Sequence, residues 1–240
     1  MGMTADISTY FVVFIGVLLL AVIGTPLSRR LGLRLHAVDQ PDPSRKVHTI
    51  PTPRMGGVAI FLSTLVATLL LRGVFSELGG ILIGATLVSF LGFWDDRFTL
   101  GAGAKLIGQL LAVGLLLMTG TQVRAFHTPM LDIGITIMWD VGITNAMNLL
   151  DNMDGLSGGI AAIAAAHFSL LCALSGQYLV GALSVAVMAA CLGFLMYNWN
   201  PATIFMGDSG SLFLGFMLAS LGIKLRFPEN VTFVTWMIPL

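Results

Sequence analysis

The chain alternates long apolar runs with short polar segments, a pattern that predicts membrane-spanning α-helices. A spanning helix needs about 20 apolar residues, and local thinning of the bilayer accommodates a somewhat shorter one. Eight runs reach or approach that length, and a ninth starts at Val231 and covers about half a bilayer by Leu240. The eight runs cover residues 10–28, 56–71, 78–94, 105–119, 131–149, 156–175, 178–197 and 211–225.

The predicted fold is therefore all-α, a polytopic transmembrane helical bundle of about eight complete spans with the start of a ninth. Residues 1–240 form a single integral membrane domain in this interpretation. Because the chain ends inside an apolar segment, the sequence predicts a domain that is incomplete at its C-terminus. The first apolar run is long enough to span and lacks the flanks of a cleavable signal peptide.

Composition supports a membrane protein and excludes several other classes. Apolar residues make up 56% of the chain and charged residues 10%, with a mean hydropathy of +0.92, whereas soluble domains carry about 25% charged residues. The net charge is zero, so the overall charge does not suggest a nucleic-acid partner. The two cysteines lie inside apolar runs, where a thiol packs as a small hydrophobe, so no disulfide framework is predicted.

The basic residues predict the orientation of the bundle. With alternating crossings, eight of the 12 Lys and Arg residues lie on or beside the loops 29–55, 95–104, 149–155 and 198–210. The opposite side has four. The positive-inside rule makes the first side cytoplasmic and places the N-terminus outside.

Three acidic clusters fall at boundaries of the apolar runs: Asp95 with Asp96, Asp151 with Asp154, and Asp208 alone. All three clusters fall on the predicted cytoplasmic side. A carboxylate at the centre of a spanning helix costs about 2.5 to 3.5 kcal/mol on insertion scales, so acids near lipid need a compensating partner. A shared divalent cation is the simplest partner, and it would serve a phosphorylated substrate.

Asp95 and Asp96 end the third run. Adjacent helical residues point about 100° apart, so the pair is predicted to face two different groups, such as a metal and an attacking group. The alternative is a solvated helix end with Arg97 as its counter-ion.

Asn145, Asn148, Asp151 and Asp154 recur at a strict spacing of three. Such a row sweeps across half of a helix, or aligns if the helix tightens or breaks, and in both cases it could line a cavity. Amide and carboxylate groups suit hydrogen bonding to a base or sugar and oxygen ligation of Mg²⁺. A polar loop between two spans is the alternative.

Asp208 stands at the start of the eighth run, where it could cap the helix while the free N–H groups of the helix terminus bind phosphate. The first cytoplasmic loop contributes a basic group of Arg45, Lys46, His48 and Arg54, beside prolines that hold the backbone extended. Positive-inside topology explains each cation alone, whereas together they suit pyrophosphate.

Four segments in this order resemble one family: HTIPTPRMGG, FWDDRFTLG, NAMNLLDNMDGLSGG and FMGDSGS. They are similar to the polyprenyl-phosphate N-acetylhexosamine-1-phosphate transferases of glycosyltransferase family 4, which include WecA, TagO and MraY. The resemblance runs from about residue 45 to 225 and is closer to the WecA and TagO branch. Thr99 stands where many relatives have a third acid, and Asn152 replaces a common glycine.

The resemblance implies transfer of a sugar 1-phosphate, with GlcNAc-1-phosphate as the first candidate, from a UDP-sugar to undecaprenyl phosphate. UMP is released, Mg²⁺ is required with Mn²⁺ as an alternative ion, and the product initiates a cell-envelope polysaccharide such as lipopolysaccharide or teichoic acid. The enzyme would lie in the bacterial inner membrane with its active site facing the cytoplasm. By motif, Asp95 and Asp96 serve the attacking phosphate, and Asp208 and Asn148 hold the metal. The substrate-binding residues would be Lys46, His48, Arg54, Asn145, Asp151 and Asp154.

Two other classes remain as alternatives. A proton-coupled transporter would place acids near the middle of the membrane, where this chain has only Asp140, without a named partner. A CDP-alcohol phosphotransferase would show a DG-x-x-AR pattern after Asp154, which is absent. The oligomeric state stays open, with a homodimer as one candidate. Relatives continue into a histidine-rich loop, so the 240 residues alone are expected to transfer poorly.

Overall fold

The computed structural model describes residues 7–39, 51–71, 73–126 and 128–226. Each of the eight predicted runs coincides with a helix. The predicted ninth segment and the loop residues Arg45, Lys46 and His48 lie outside the described residues. The helices are α1 (Ile7–Arg34), α2 (Gly56–Leu69), α3 (Val74–Phe98), α4 (Ala102–Met118), α5 (Pro129–Leu150), α6 (Leu156–Leu174), α7 (Tyr178–Asn198) and α8 (Asp208–Lys224).

Five of these helices, α1, α3, α5, α6 and α7, are long and apolar enough to cross a membrane. The shorter apolar helices α2 and α4 have 14 and 17 residues, and α8 has 17. The chain is therefore an all-α membrane protein, as the sequence predicts.

The centre of the bundle is formed by α7 and α8. Nearly every residue of α8 is buried, and the helix packs against α2, α3 and α5, while α7 packs against α1, α2 and α6. A helix that is apolar all round is stable only when other helices or lipid surround it. Phe168, Phe194 and Phe216 are the largest side chains that are fully enclosed.

The outer surface of the bundle is apolar as well. On α1, Phe11, Val12 and Ile23 are each more than 60% exposed. Large contiguous apolar patches are rare on soluble monomers, so this surface is suited to lipid.

One small sheet departs from the all-α prediction. Strand β1 (Val38–Asp39) pairs antiparallel with β2 (Thr52–Pro53), so that Val38 faces Pro53. Proline favours extended backbone and restricts the residue before it, which explains the strand conformation in this proline-containing loop. The N–H of Phe205 donates to the Pro53 carbonyl at 2.8 Å, so the same segment also holds the chain that leads into α8.

The first turn of α8 is packed directly against α3. A Cβ added to Gly92 would lie 2.2 Å from the Asp208 carbonyl oxygen, a distance that no real side chain tolerates. Only glycine permits this approach of two backbones. The contact brings the start of α8 beside the acidic end of α3.

Candidate active site

The three acidic clusters meet at one end of the bundle. The C-terminal ends of α3 and α5 lie there beside the N-terminal ends of α4 and α8. Asp208 is the common member, because Lys105 and Asn148 contact its side chain and Asp96 contacts its backbone. The expected convergence of clusters far apart in sequence is therefore present in the structure.

A single lysine stands between two carboxylates from different helices. The Lys105 ammonium of α4 lies 2.5 Å from Asp95 Oδ2 on α3 and also donates to Asp208 Oδ2 on α8. The Leu100 N–H donates to the other oxygen of Asp95. Charge-assisted hydrogen bonds of this kind are stronger than neutral ones, so Lys105 ties three helix ends together.

Asp96 acts on the start of α8. Its two carboxylate oxygens accept the N–H groups of Asp208 and Ser209 at 2.8 and 3.0 Å. Gly207 occupies the N-cap position and offers no side-chain cap, so Asp96 satisfies the free amides and the positive helix terminus from a distant helix. As predicted, Asp95 and Asp96 face different groups.

Two expectations about the terminus of α8 are corrected by this geometry. Asp208 does not cap its own helix; it is the first helical residue, and Asp96 supplies the cap. The N–H groups of Asp208 and Ser209, expected to bind phosphate, are instead occupied by a carboxylate. The local sequence suggested a self-cap because aspartate is common there, but α3 approaches closely enough to replace it.

Asn148 orients the Asp208 carboxylate. Its amide nitrogen donates to Asp208 Oδ1 at 2.9 Å and to Ser211 Oγ at 2.8 Å. The Ser211 hydroxyl in turn donates to the Gly207 carbonyl at 3.2 Å. Asp208 therefore has one oxygen fixed by an amide and the other by the Lys105 ammonium.

Asp151 follows the last residue of α5 and faces the loop that leads into α8. Its carboxylate accepts the Gly207 N–H at 3.1 Å. Loss of water around the carboxyl raises the pKa of Asp151 well above its usual range, and the nearby charges of Asp96 and Asp208 raise it further, against the opposing Gly207 N–H and Arg54. A carboxyl in this setting is sensitive to any cation that approaches it.

The remaining members of the evenly spaced polar row point to other segments. Asp154 accepts the Asn200 amide at 3.1 Å and the Ala202 N–H at 3.0 Å, in the loop before α8. Asn145 pairs with Gln109 of α4, to which its amide donates at 2.8 Å. The side chains of the row contact different segments because α5 ends at Leu150 and a turn follows. Nucleotide binding by Asn145 and Asp154 stays a prediction.

Arg54 lies at the rim of the site. Its guanidinium forms an ion pair with Asp39 of β1, and its side chain is 45% exposed. Its backbone N–H donates to the Ala37 carbonyl at 3.0 Å. The proposed phosphate partners Lys46 and His48 lie outside the described residues, so Arg54 is the described member of that basic group.

Two residues of the site had no assigned role in the sequence. Lys105 is one of the eight Lys and Arg residues on the predicted cytoplasmic side, and one lysine before an apolar run has no distinctive signal beyond that. Asn198 is 3% exposed; it accepts the Gly155 N–H at 3.0 Å and donates to the Ile204 carbonyl at 2.9 Å. This amide joins the loop after α5 to the loop before α8.

Carboxylate oxygens are the candidate metal donors of this site. In the described parts of the chain, no three His, Cys, Asp or Glu side chains converge as a complete metal cage. Two carboxylates, Asp95 and Asp208, do converge on one position, where the Lys105 ammonium contacts both of them. Mg²⁺ is commonly held by one or two carboxylates with waters and substrate phosphates, so these oxygens fit Mg²⁺ better than a zinc site.

Fold and site together define a multi-pass, all-α membrane protein with a carboxylate and lysine centre at one end of its bundle. The family model described as glycosyl transferase family 4 matches residues 78–226, which run from the first turns of α3 to just past the end of α8 and include the acidic residues of the centre. The chain belongs to this family.

Curated relatives extend the match over nearly the whole chain. A probable undecaprenyl-phosphate N-acetylglucosaminyl 1-phosphate transferase of Bacillus subtilis is 40% identical, over 95% of this chain and 66% of that protein. A decaprenyl-phosphate N-acetylglucosaminephosphotransferase of Mycobacterium tuberculosis is 37% identical, over 91% and 58%. A phospho-N-acetylmuramoyl-pentapeptide-transferase of Bacillus mycoides is 38% identical, over 73% and 61%. The chain thus spans 58% to 66% of the length of these relatives.

Proposed function

We propose that the protein transfers N-acetylglucosamine 1-phosphate from UDP-N-acetylglucosamine to undecaprenyl phosphate. The observation that carries this proposal is the Asp95–Lys105–Asp208 centre, which combines oxygen donors and a cation at one end of a membrane bundle. Two relatives are named for transfer of this sugar phosphate to a polyprenyl phosphate, which supports the sugar and the acceptor.

In the proposed reaction, an oxygen of the lipid phosphate bonds to the β-phosphorus of the UDP-sugar. The bond from that phosphorus to the bridging oxygen breaks, and UMP leaves with the bonding electron pair. The attacking phosphate is already an anion, so the main requirements are positioning and neutralisation of charge. Lys105 supplies a fixed positive charge, and Asp96 and Asn148 hold Asp208 in place.

We propose that Asp208 and Asp95 hold Mg²⁺, or Mn²⁺ in its place. Asp95 here replaces Asn148, the second metal ligand expected from the sequence, because the Asn148 amide donates to Asp208 and orients it. Such an ion supplies charge neutralisation to the pyrophosphate oxygens when bound. Asp151, Asp154, Asn145 and Arg54 surround the centre and are proposed to contact the nucleotide or phosphates.

A direct assay of the reaction tests the proposal. The protein in its complete natural chain, purified in lipid, should release UMP from UDP-N-acetylglucosamine and form a lipid product in equal amount. The reaction should stop when Mg²⁺ is chelated. Release of UDP would mean transfer of the sugar without its phosphate and would contradict the proposal. UDP-N-acetylgalactosamine and UDP-N-acetylmuramoyl-pentapeptide, offered in parallel, identify the preferred donor.

We further propose that all eight helices cross a bacterial inner membrane, with the site on the cytoplasmic face. The 14-residue α2 measures about 21 Å at 1.5 Å per residue, so the bilayer must thin around it. The predicted excess of Lys and Arg on the side of the site supports the orientation. UDP-sugars are found in the cytoplasm, so a site on the cytoplasmic face is accessible to them.

Thiol labelling tests the orientation. Single cysteines at Thr99 and Asn152, two exposed positions beside the site, should react with an impermeant reagent only from the cytoplasmic side. A cysteine at Ala125, exposed between α4 and α5, should react only from outside. The native Cys172 and Cys191 are fully buried and serve as the unreactive background. Labelling of positions 99 and 152 from opposite sides would contradict a shared site.

A further inference from the structure

The interface between α5 and α8 contains a continuous series of small and polar contacts. Asn148 donates to Ser211 at 2.8 Å. A Cβ on Gly215 would lie 2.5 Å from Thr144 Cα, so the two backbones touch there. Ser220 donates to Asp140 Oδ2 at 3.3 Å. The contacts advance by four residues on α5 and by four or five on α8, as expected for antiparallel helices in one register.

Asp140 is the contact most distant from the candidate active site. It is 1% exposed, lies within the predicted span, and is eight residues from Asn148, which is about 12 Å along a helix. A carboxyl in this position cannot reach a substrate at the end of the bundle. It is also costly to keep in apolar surroundings, so its presence needs a function other than packing.

We propose that Asp140 is a positioning residue that sets the register of α5 on α8 through its hydrogen bond with Ser220. The fixed register holds Asn148 against Asp208, and so orients the proposed metal-binding carboxylate. This inference deepens the proposed function and rests on it.

The physical reason is that small residues alone do not fix a register. The contact of Gly215 with Thr144 allows close approach, but a smooth interface permits sliding. A slip of one residue moves a helix by about 1.5 Å, enough to break a hydrogen bond. The Asn148–Asp208 bond is 2.9 Å long. Single buried polar contacts are known to specify register in packed helices, at some cost in stability.

Three variants of the contact test the proposal through binding of Mn²⁺, measured by electron paramagnetic resonance on the purified protein without substrate. Asp140→Leu should weaken Mn²⁺ binding about tenfold, the size of effect seen when residues that orient a metal ligand are lost. Ser220→Ala should weaken it in the same direction by a few-fold. Asp140→Asn keeps an oxygen for the Ser220 hydroxyl and should restore near-normal binding.

The matched control is Ser63→Ala. Ser63 is also a buried helical serine, but its hydroxyl donates to carbonyls of its own helix, at 2.7 and 3.1 Å. This variant should bind Mn²⁺ as the wild type does. The melting temperature distinguishes a shifted register from a loss of the fold. Asp140→Leu replaces a buried carboxyl by an apolar group, so this variant should melt at the wild-type temperature or above it.

A double-mutant cycle shows whether Asp140 acts through Asn148. In an Asn148→Ala background, Asp140→Leu should cause no further loss of Mn²⁺ affinity. An additive loss, or wild-type affinity in a folded Asp140→Leu protein, would overturn the proposal. If Asp140→Leu fails to fold, Ser220→Ala decides, and wild-type affinity in that variant has the same meaning.

The same samples separate this inference from the proposed reaction. If the wild type binds Mn²⁺ and the variants shift the affinity as expected, but no lipid product forms, the positioning role stands and the reaction is wrong. If product forms and the affinity is unchanged in all three variants, the positioning role is wrong and the reaction stands.

Discussion

Asp208→Asn is expected to abolish sugar phosphate transfer, with a loss of about 10³-fold or more, while the protein remains folded in the membrane. The substitution removes the negative charge of the carboxylate to which the Lys105 ammonium and the Asn148 amide both donate. It leaves the backbone N–H of residue 208 free to bond Asp96, so the start of α8 is retained. The measurement is the initial rate of UMP release, together with Mn²⁺ binding, which should be lost in parallel.

Glu77→Gln is the matched control for this variant. It makes the same change from carboxylate to amide at an exposed position in the first turn of α3, at the opposite end of the helix from Asp95. The control should transfer at the wild-type rate. Near-normal turnover by Asp208→Asn, with Glu77→Gln normal as well, would remove Asp208 from the active site.

The helices could be predicted from the sequence because hydropathy marks the apolar part of each helix. The predicted run 156–175 matches α6 (Leu156–Leu174) to within one residue. The run 78–94 is shorter than α3 (Val74–Phe98), since hydrogen bonding continues past the apolar stretch into Asp95 and Asp96. Hydropathy therefore underestimates a helix wherever its polar end contributes to a site.

The acidic residues that meet at the site could be identified in the sequence, whereas Lys105, Asn198 and the partner of each side chain could not. Asp96 and Ser209 are 113 positions apart in sequence, and only the packing of α8 on α3 makes one the cap of the other. The regular row from Asn145 to Asp154 suggested one cavity, but the end of α5 at Leu150 distributes its members over three segments. Tertiary packing determines these partners, and the spacing of residues in the sequence carries no information about that packing.

Asp140 shows a further limit. The sequence identified it as an acid within a span and gave it no partner, which kept a transporter among the alternatives. In the structure it is enclosed between α5 and α8, with Ser220 as its hydrogen-bond donor. In a transporter, the ion must be able to reach such an acid. An enclosed carboxyl therefore favours an enzyme whose active site lies at the end of the bundle.

Lys105→Met is expected to lower turnover by about 10²-fold or more without weakening the binding of Mn²⁺. The ammonium lies between Asp95 and Asp208, and its loss leaves two carboxylates facing each other without a cation. Like charges so placed attract a divalent ion more strongly, while the fixed positive charge for the phosphates is gone. The turnover number and the Mn²⁺ affinity should therefore change in different ways, in contrast to Asp208→Asn, where both fall.

Arg97→Met provides the control for this last variant. Arg97 is an exposed cation at the same end of α3, and its guanidinium lies 5.2 Å from the centre of the Phe98 ring. Its removal changes the net charge of this face by the same amount as Lys105→Met, but leaves the carboxylate pair bridged. Turnover should stay within about threefold of wild type, because an exposed charge is screened by solvent. If the two variants lost turnover equally, the general charge of the surface would explain the effect, and the bridging position of Lys105 would not.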